Sequence, residues 1–147
     1  MKKPPTLVAK NLLNTIHGVV GSKLFQHLYL LDDSGQETDV YKGGQRSCAY
    51  VVSGVLVLND LMERVRATVH SCLADMESMG WYKTDKPVPG SVIHWPADES
   101  GHEHVGFYLD DQTAMSNSDT LCVPELHGIV RKNLQPIAYF THPDLQI

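Results

Sequence analysis

The residues of this chain that can do chemistry are thiols and imidazoles. There are three cysteines, Cys48, Cys72 and Cys122, and eight histidines in 147 residues. A thiol attacks a carbonyl as the thiolate, and a free cysteine of pKa about 8.5 is mostly protonated at neutral pH. A helix N-terminus and a neighbouring imidazolium both favour the thiolate. Cys48 is set for the first, opening an apolar segment just after Gly43-Gly44. Cys72 falls inside a helical pattern, and Cys122 precedes Val123-Pro124 in a loop. By position alone, Cys48 fits a small hydrophobe packing a helix end as readily as a nucleophile.

The imidazole best placed to serve it is His104. It precedes Val105-Gly106-Phe107-Tyr108-Leu109, a strand pattern that commits its side chain to one face of a sheet. Thiol and imidazole within hydrogen-bond reach is the arrangement that activates a nucleophile. His102, two residues back on the same face, is the alternative base. A third group must hold the imidazole in the right tautomer. If Asp110-Asp111 forms a two-residue turn, Leu109 pairs with Gln112 and His104 with Asn117, which makes Asn117 the expected orienting residue. A change of one residue in the loop substitutes Ser116 or Ser118. A competing set is His102, His104, Cys122 and His127, four ligands of the types zinc takes, with His94 in reserve. Their spacings match no strong zinc motif, and the expectation is a site with neither metal nor cofactor.

The elements that must position these residues follow from periodicity. Apolar residues at 8, 12, 13, 16, 19 and 20 predict a helix over Thr6–Val20, stopped by Gly21. Lys23–Leu31 fits a helix or a strand, and Asp32–Gly44 reads as loop. Arg46–Asn59 is almost continuously apolar and fits a strand by its β-branched content or a buried helix by its length. Val65–Met79 has helical spacing with Gly80 as its cap. After Pro87 the period falls to two, predicting strands over Ser91–Trp95, Val105–Leu109, Thr113–Ser118 and Ile137–Thr141. Helices followed by antiparallel strands indicate an α+β fold in one domain spanning 1–147.

Net charge is -5, with no basic stripe, which argues against a nucleic-acid partner. An odd number of widely spaced cysteines argues against a secreted disulfide scaffold. No signal-like h-region and no membrane-spanning apolar run is present, so the expectation is cytoplasmic synthesis without a membrane partner.

Several motifs occur together in order. Tyr41-Lys42-Gly43-Gly44 leads to Cys48; Pro89-Gly90-Ser91-Val92-Ile93-His94-Trp95 follows; then comes His104-Val105-Gly106. Over roughly residues 40 to 120 this order and spacing resembles the NlpC-type cell-wall peptidases and their CHAP relatives, within the papain-like superfamily. The match is divergent. Ser47-Cys48-Ala49-Tyr50 stands where the family has Asp-Cys-Ser-Gly, and Ser91 stands where it has Asp. The resemblance implies a helix beginning at Cys48, N-terminal helices packed on a small antiparallel sheet, and a Cys48, His104, polar-residue triad. An oxyanion hole would use the Cys48 N–H with Gln45, similar to the glutamine upstream of the CHAP cysteine, or the Tyr41 hydroxyl. The implied activity is thiol-dependent amide hydrolysis, with a peptide or peptidoglycan fragment as substrate. Delivery by a secretion apparatus or a phage would fit the absence of a leader. The alternatives are a papain-fold binding module without turnover and a zinc-binding protein.

Overall fold

The computed structural model describes residues 5–146. Helix α1 spans Pro5–Gly18 and buries Val8, Leu12 and Ile16, the i, i+4, i+8 stripe that the sequence spacing requires. Helix α2 spans Cys48–Leu58 and buries seven of its eleven residues. Its run of valines would suit a strand, but every turn finds apolar neighbours, so tertiary burial outweighs local β preference. Ser53 lies fully buried within it because its hydroxyl donates to the Ala49 carbonyl at 2.6 Å and accepts from the Arg66 N–H at 2.9 Å. Helix α3 spans Val69–Ser78 and starts on a reciprocal cap, Thr68 accepting from the Ser71 N–H while the Ser71 side chain accepts from the Thr68 N–H.

A hairpin of β1, Tyr29–Leu31, and β2, Glu37–Asp39, occupies much of the segment expected to be helix, strand or loop. Asp32 Oδ1 closes its turn by accepting from the Ser34 and Gln36 N–H groups, both at 2.9 Å. The main sheet has six antiparallel strands: β3, Tyr82–Thr84; β4, Val92–Trp95; β5, His104–Asp110; β6, Thr113–Asn117; β7, Pro124–His127; and β8, Ala138–Thr141. Their order is β3-β8-β4-β5-β6-β7. The four strands expected from period-two patterning are β4, β5, β6 and β8. Strands β1, β2, β3 and β7, of three or four residues, carry too little alternation to be read.

The sheet is covered on both faces. Val92, Val105, Phe107 and Met115 pack with α1 and α2 in one core, while Ile93, Trp95, Tyr108 and Ala114 form a second layer with Ile129 and Tyr139. Successive residues of β5 therefore belong to opposite faces. The α+β class expected from the sequence is observed. No helix among the described residues is long and apolar enough to cross a membrane.

Candidate functional site

A cleft of about 800 Å³ lies where the first residues of α2 and β5 come together. Its lining includes Cys48 and His104. Cys48 is the first residue of α2 and is partly exposed. The preceding Ser47 does not cap the helix, because its hydroxyl donates to the Phe25 carbonyl at 2.5 Å. The opening amides of α2 thus stay available to the thiol. Burial pushes the Cys48 thiol above its ordinary pKa; against this, the N–H groups of Val105, Ala49 and Cys48 itself, and the charge of Arg131, favour the thiolate. Among the described residues no hydrogen bond joins Cys48 to His104. Cys48 packs with the core on the α2 face of the sheet and His104 lies on the Trp95 face, so the two line one cleft from opposite sides of the start of β5, as a neutral thiol and a neutral imidazole.

His104 is buried, on the face of the sheet shared with Trp95, and its ring centroid lies 5.5 Å from that of Trp95. Its Nε2 lies 2.9 Å from Ser116 Oγ, and Ser116 Oγ lies 2.6 Å from His127 Nε2. The proton positions follow from one end of this series. His127 Nδ1 is 2.7 Å from the Gly128 carbonyl, which can only accept, so Nδ1 carries the hydrogen. Burial holds His127 below its ordinary pKa, so the ring is neutral and its Nε2 is an acceptor. Ser116 must then spend its hydrogen on His127 and accept from His104 Nε2–H. That leaves His104 Nδ1 as the nitrogen with a free lone pair, and no described residue hydrogen-bonds to it. Burial, followed by the charge of Arg131, pushes His104 well below the ordinary histidine pKa, so this lone pair is present at neutral pH.

The expected pairing of His104 with Asn117 does not occur. Phe107 pairs with Met115 and Tyr108 with Ala114, but Asp110 pairs with Thr113, so an irregularity at Leu109 shifts the register. Asn117 falls on the opposite face from His104. Its amide donates to the Gly44 carbonyl at 2.7 Å, fastening the loop before α2 to β6, and its buried Oδ1 has no partner among the described residues. Ser116, the alternative left by a one-residue change, makes the contact. Ser118 is occupied elsewhere, accepting from the Leu121 N–H at 2.9 Å.

Tyr41 and Gln45 both line the cleft. Tyr41 is buried and stacked on Tyr50 at 4.7 Å between centroids, with no partner for its hydroxyl among the described residues. Burial raises its pKa to about 12, so it remains a donor. Gln45 is exposed. Gly44 must be glycine: its φ is +103°, and a Cβ there would lie 2.5 Å from the Cys122 carbonyl oxygen. His102 sits at the outer rim with Nδ1 3.0 Å from Arg46 Nη1. The four zinc candidates are not gathered into one set. Among the described residues no three His, Cys, Asp or Glu side chains stand close enough together to hold a metal.

Two of the lining residues that escaped the sequence reading bear positive charge on one turn. Arg131 and Lys132 lie on a tight turn in which Arg131 and Leu134 exchange backbone hydrogen bonds of 3.0 and 2.8 Å. Lys132 and Asn133 occupy the left-handed region, with φ of 51° and 61°. Lys132 is held by Asp98 at 3.1 Å and by Asp119. Trp95 Nε1 donates to the Ile129 carbonyl at 2.8 Å and pins the approach to the turn. The only prior signal was Arg131-Lys132-Asn133 in a short polar stretch, which resembles any exposed turn.

No protein-family model and no curated protein matches this chain.

Proposed function

We propose that this chain is a thiol-dependent amide-bond hydrolase of papain-like, NlpC-type architecture, acting on a peptide or peptidoglycan fragment. The observation that carries the reading is one cleft receiving both Cys48 at a helix start and an imidazole whose Nδ1 lone pair is free. In the mechanism, Cys48 Sγ leaves the Val105 amide and His104 swings from the Trp95 face into the cleft that both line, and Sγ attacks the substrate carbonyl as its proton passes to His104 Nδ1. The uncapped Cys48 N–H and the Tyr41 hydroxyl, or the Gln45 amide, meet the developing oxyanion. The proton on His104 then goes to the leaving amine, the C–N bond breaks, and a thioester to Cys48 remains. Water attacks that thioester, giving its proton to His104, and the thiol is restored with release of the acid. Ser116 and His127 act as positioning residues, keeping the His104 proton on Nε2.

The raised thiol pKa and the missing Cys48–His104 hydrogen bond favour a second reading, a papain-fold binding module without turnover. One experiment separates the two. Hydrolysis of acylated dipeptides and peptidoglycan fragments is measured for the wild type and Cys48→Ala, alongside iodoacetamide labelling of Cys48 against pH. The hydrolase reading expects turnover to fall about 10³-fold or more in Cys48→Ala, and labelling of the resting thiol to rise at a pH above that of an ordinary free thiol. Unchanged turnover in the variant sinks it. No turnover by either protein favours the binding module.

A further inference from the structure

We infer that the cleft selects substrates bearing a free carboxylate beside the scissile amide, and that Arg131 is the group that receives it. The inference rests on the hydrolase reading and names the substrate class for that same site.

Arg131 is largely buried, its side chain only 12% exposed. Its one ion pair among the described residues is with Asp119 Oδ2 at 3.7 Å, too long for a hydrogen bond. The same oxygen is held more closely by Lys132. A guanidinium has five N–H donors in a rigid fork, and none of those on Arg131 makes a hydrogen bond within the described residues. The side chain is largely covered while its fork keeps its donors free, so the guanidinium is held in place with its hydrogen-bonding capacity open to a ligand acceptor in the cleft. The other cations of the cleft are less suited. Lys132 is engaged by two carboxylates, Lys42 is exposed, and Arg46 is exposed and bonded to His102.

The position of Arg131 is enforced. Two successive non-glycine residues at positive φ carry strain that persists only where the surroundings impose it. Here the Lys132 ion pairs to Asp98 and Asp119 and the Trp95–Ile129 hydrogen bond supply that constraint. Arg131 lines the same cleft as Cys48 and His104, so an anion bound to it shares that cleft with the reacting carbonyl. A carboxylate suits the site better than a phosphate dianion. Its two oxygens match one guanidinium fork, and Asp98 and Asp119 would repel the second charge.

The test compares N-acetyl-alanyl-alanine, with its free terminal carboxylate, against its terminal carboxamide, with L- and D-alanine in the second position. The wild-type chain should cleave the acid with kcat/KM about tenfold or more above the amide. In Arg131→Gln that ratio should fall toward one, with Arg131→Lys between the two. Calorimetric binding of the same peptides to Cys48→Ala should show the same preference, lost in Cys48→Ala/Arg131→Gln. A wild type that binds and cleaves acid and amide alike overturns the inference without any variant. So does a preference that survives Arg131→Gln, and in both cases Cys48-dependent turnover would leave the hydrolase reading standing. Acid-selective binding through Arg131 with no turnover supports the inference on ligand class and sinks the hydrolase reading alone.

Discussion

Gly106→Ala is the substitution whose cost is best defined by the geometry. Gly106 lies within β5, and a Cβ there would stand 2.6 Å from the Met115 carbonyl oxygen, 2.6 Å from Ser116 Cβ and 3.1 Å from the Trp95 ring. Ordinary contact begins near 3.4 Å, so the two closest atoms must each retreat by about 0.8 Å. Both are fixed to the backbone of β6, and no rotamer change moves them aside. Overpacking of a tight core costs about 1–3 kcal/mol, and a clash against a hydrogen-bonded strand belongs at the upper end. At roughly 3 °C per kcal/mol for a chain of this length, the melting temperature should fall by about 10 °C. The same displacement draws Ser116 and Trp95 away from His104, so activity should fall at temperatures where the variant is still folded. Thermal unfolding followed by circular dichroism measures the first effect. A melting temperature within about 3 °C of wild type would refute the packing described for β5 and β6.

Stability should decline as the pH falls through the ordinary histidine value of 6.5, because His104 and His127 resist protonation in the folded chain while the unfolded chain takes up protons. The loss is at most about 1.4 kcal/mol per pH unit for each histidine. It is separable from the carboxylates, since Asp39 and Asp98 are held below 3.8 and lose their contribution only in stronger acid. Urea unfolding from pH 7 to 5 should therefore slope less steeply in His104→Gln, and an unaltered slope would contradict the burial of a neutral ring. Ser116→Ala strands a nitrogen on each of two histidines and should cost about 2 kcal/mol. Long-range ¹H–¹⁵N spectra of the wild type at pH 7.5 should show His104 protonated at Nε2 and His127 at Nδ1; the reverse tautomers would break the proposed series of hydrogen bonds.

The elements long enough to express a period were legible in the sequence. Helix α1 and strands β4, β5, β6 and β8 fall close to where the spacing puts them, and α2 is a helix in spite of its valines. What the sequence could not convey was register. One irregularity at Leu109 moves the partner of His104 from Asn117 to Ser116, and nothing in Leu109-Asp110-Asp111-Gln112 announces it. His127 entered the reading only as a possible metal ligand, because its relation to Ser116 depends on β7, a strand too short to show alternation. Arg131 was missed for a different reason. Its turn is held by Trp95 on Ile129, Asp98 on Lys132 and Asp119 on both Arg131 and Lys132, residues distant along the chain, whereas local composition describes only an ordinary polar turn.

The strand order bears on how the protein is made. Strand β8 is synthesised after every other strand of the sheet, yet it lies between β3 and β4, pairing Thr141 with Tyr82 and Phe140 with Val92. Until β8 leaves the ribosome, β3 has no strand beside it and the edge of β4 stands open. The cleft follows the same timetable, since Cys48 emerges long before Arg131 and Lys132, which complete its lining. A partly made chain thus carries Cys48 without the rest of the cleft around it, and it depends for that interval on protection of an unpaired β edge.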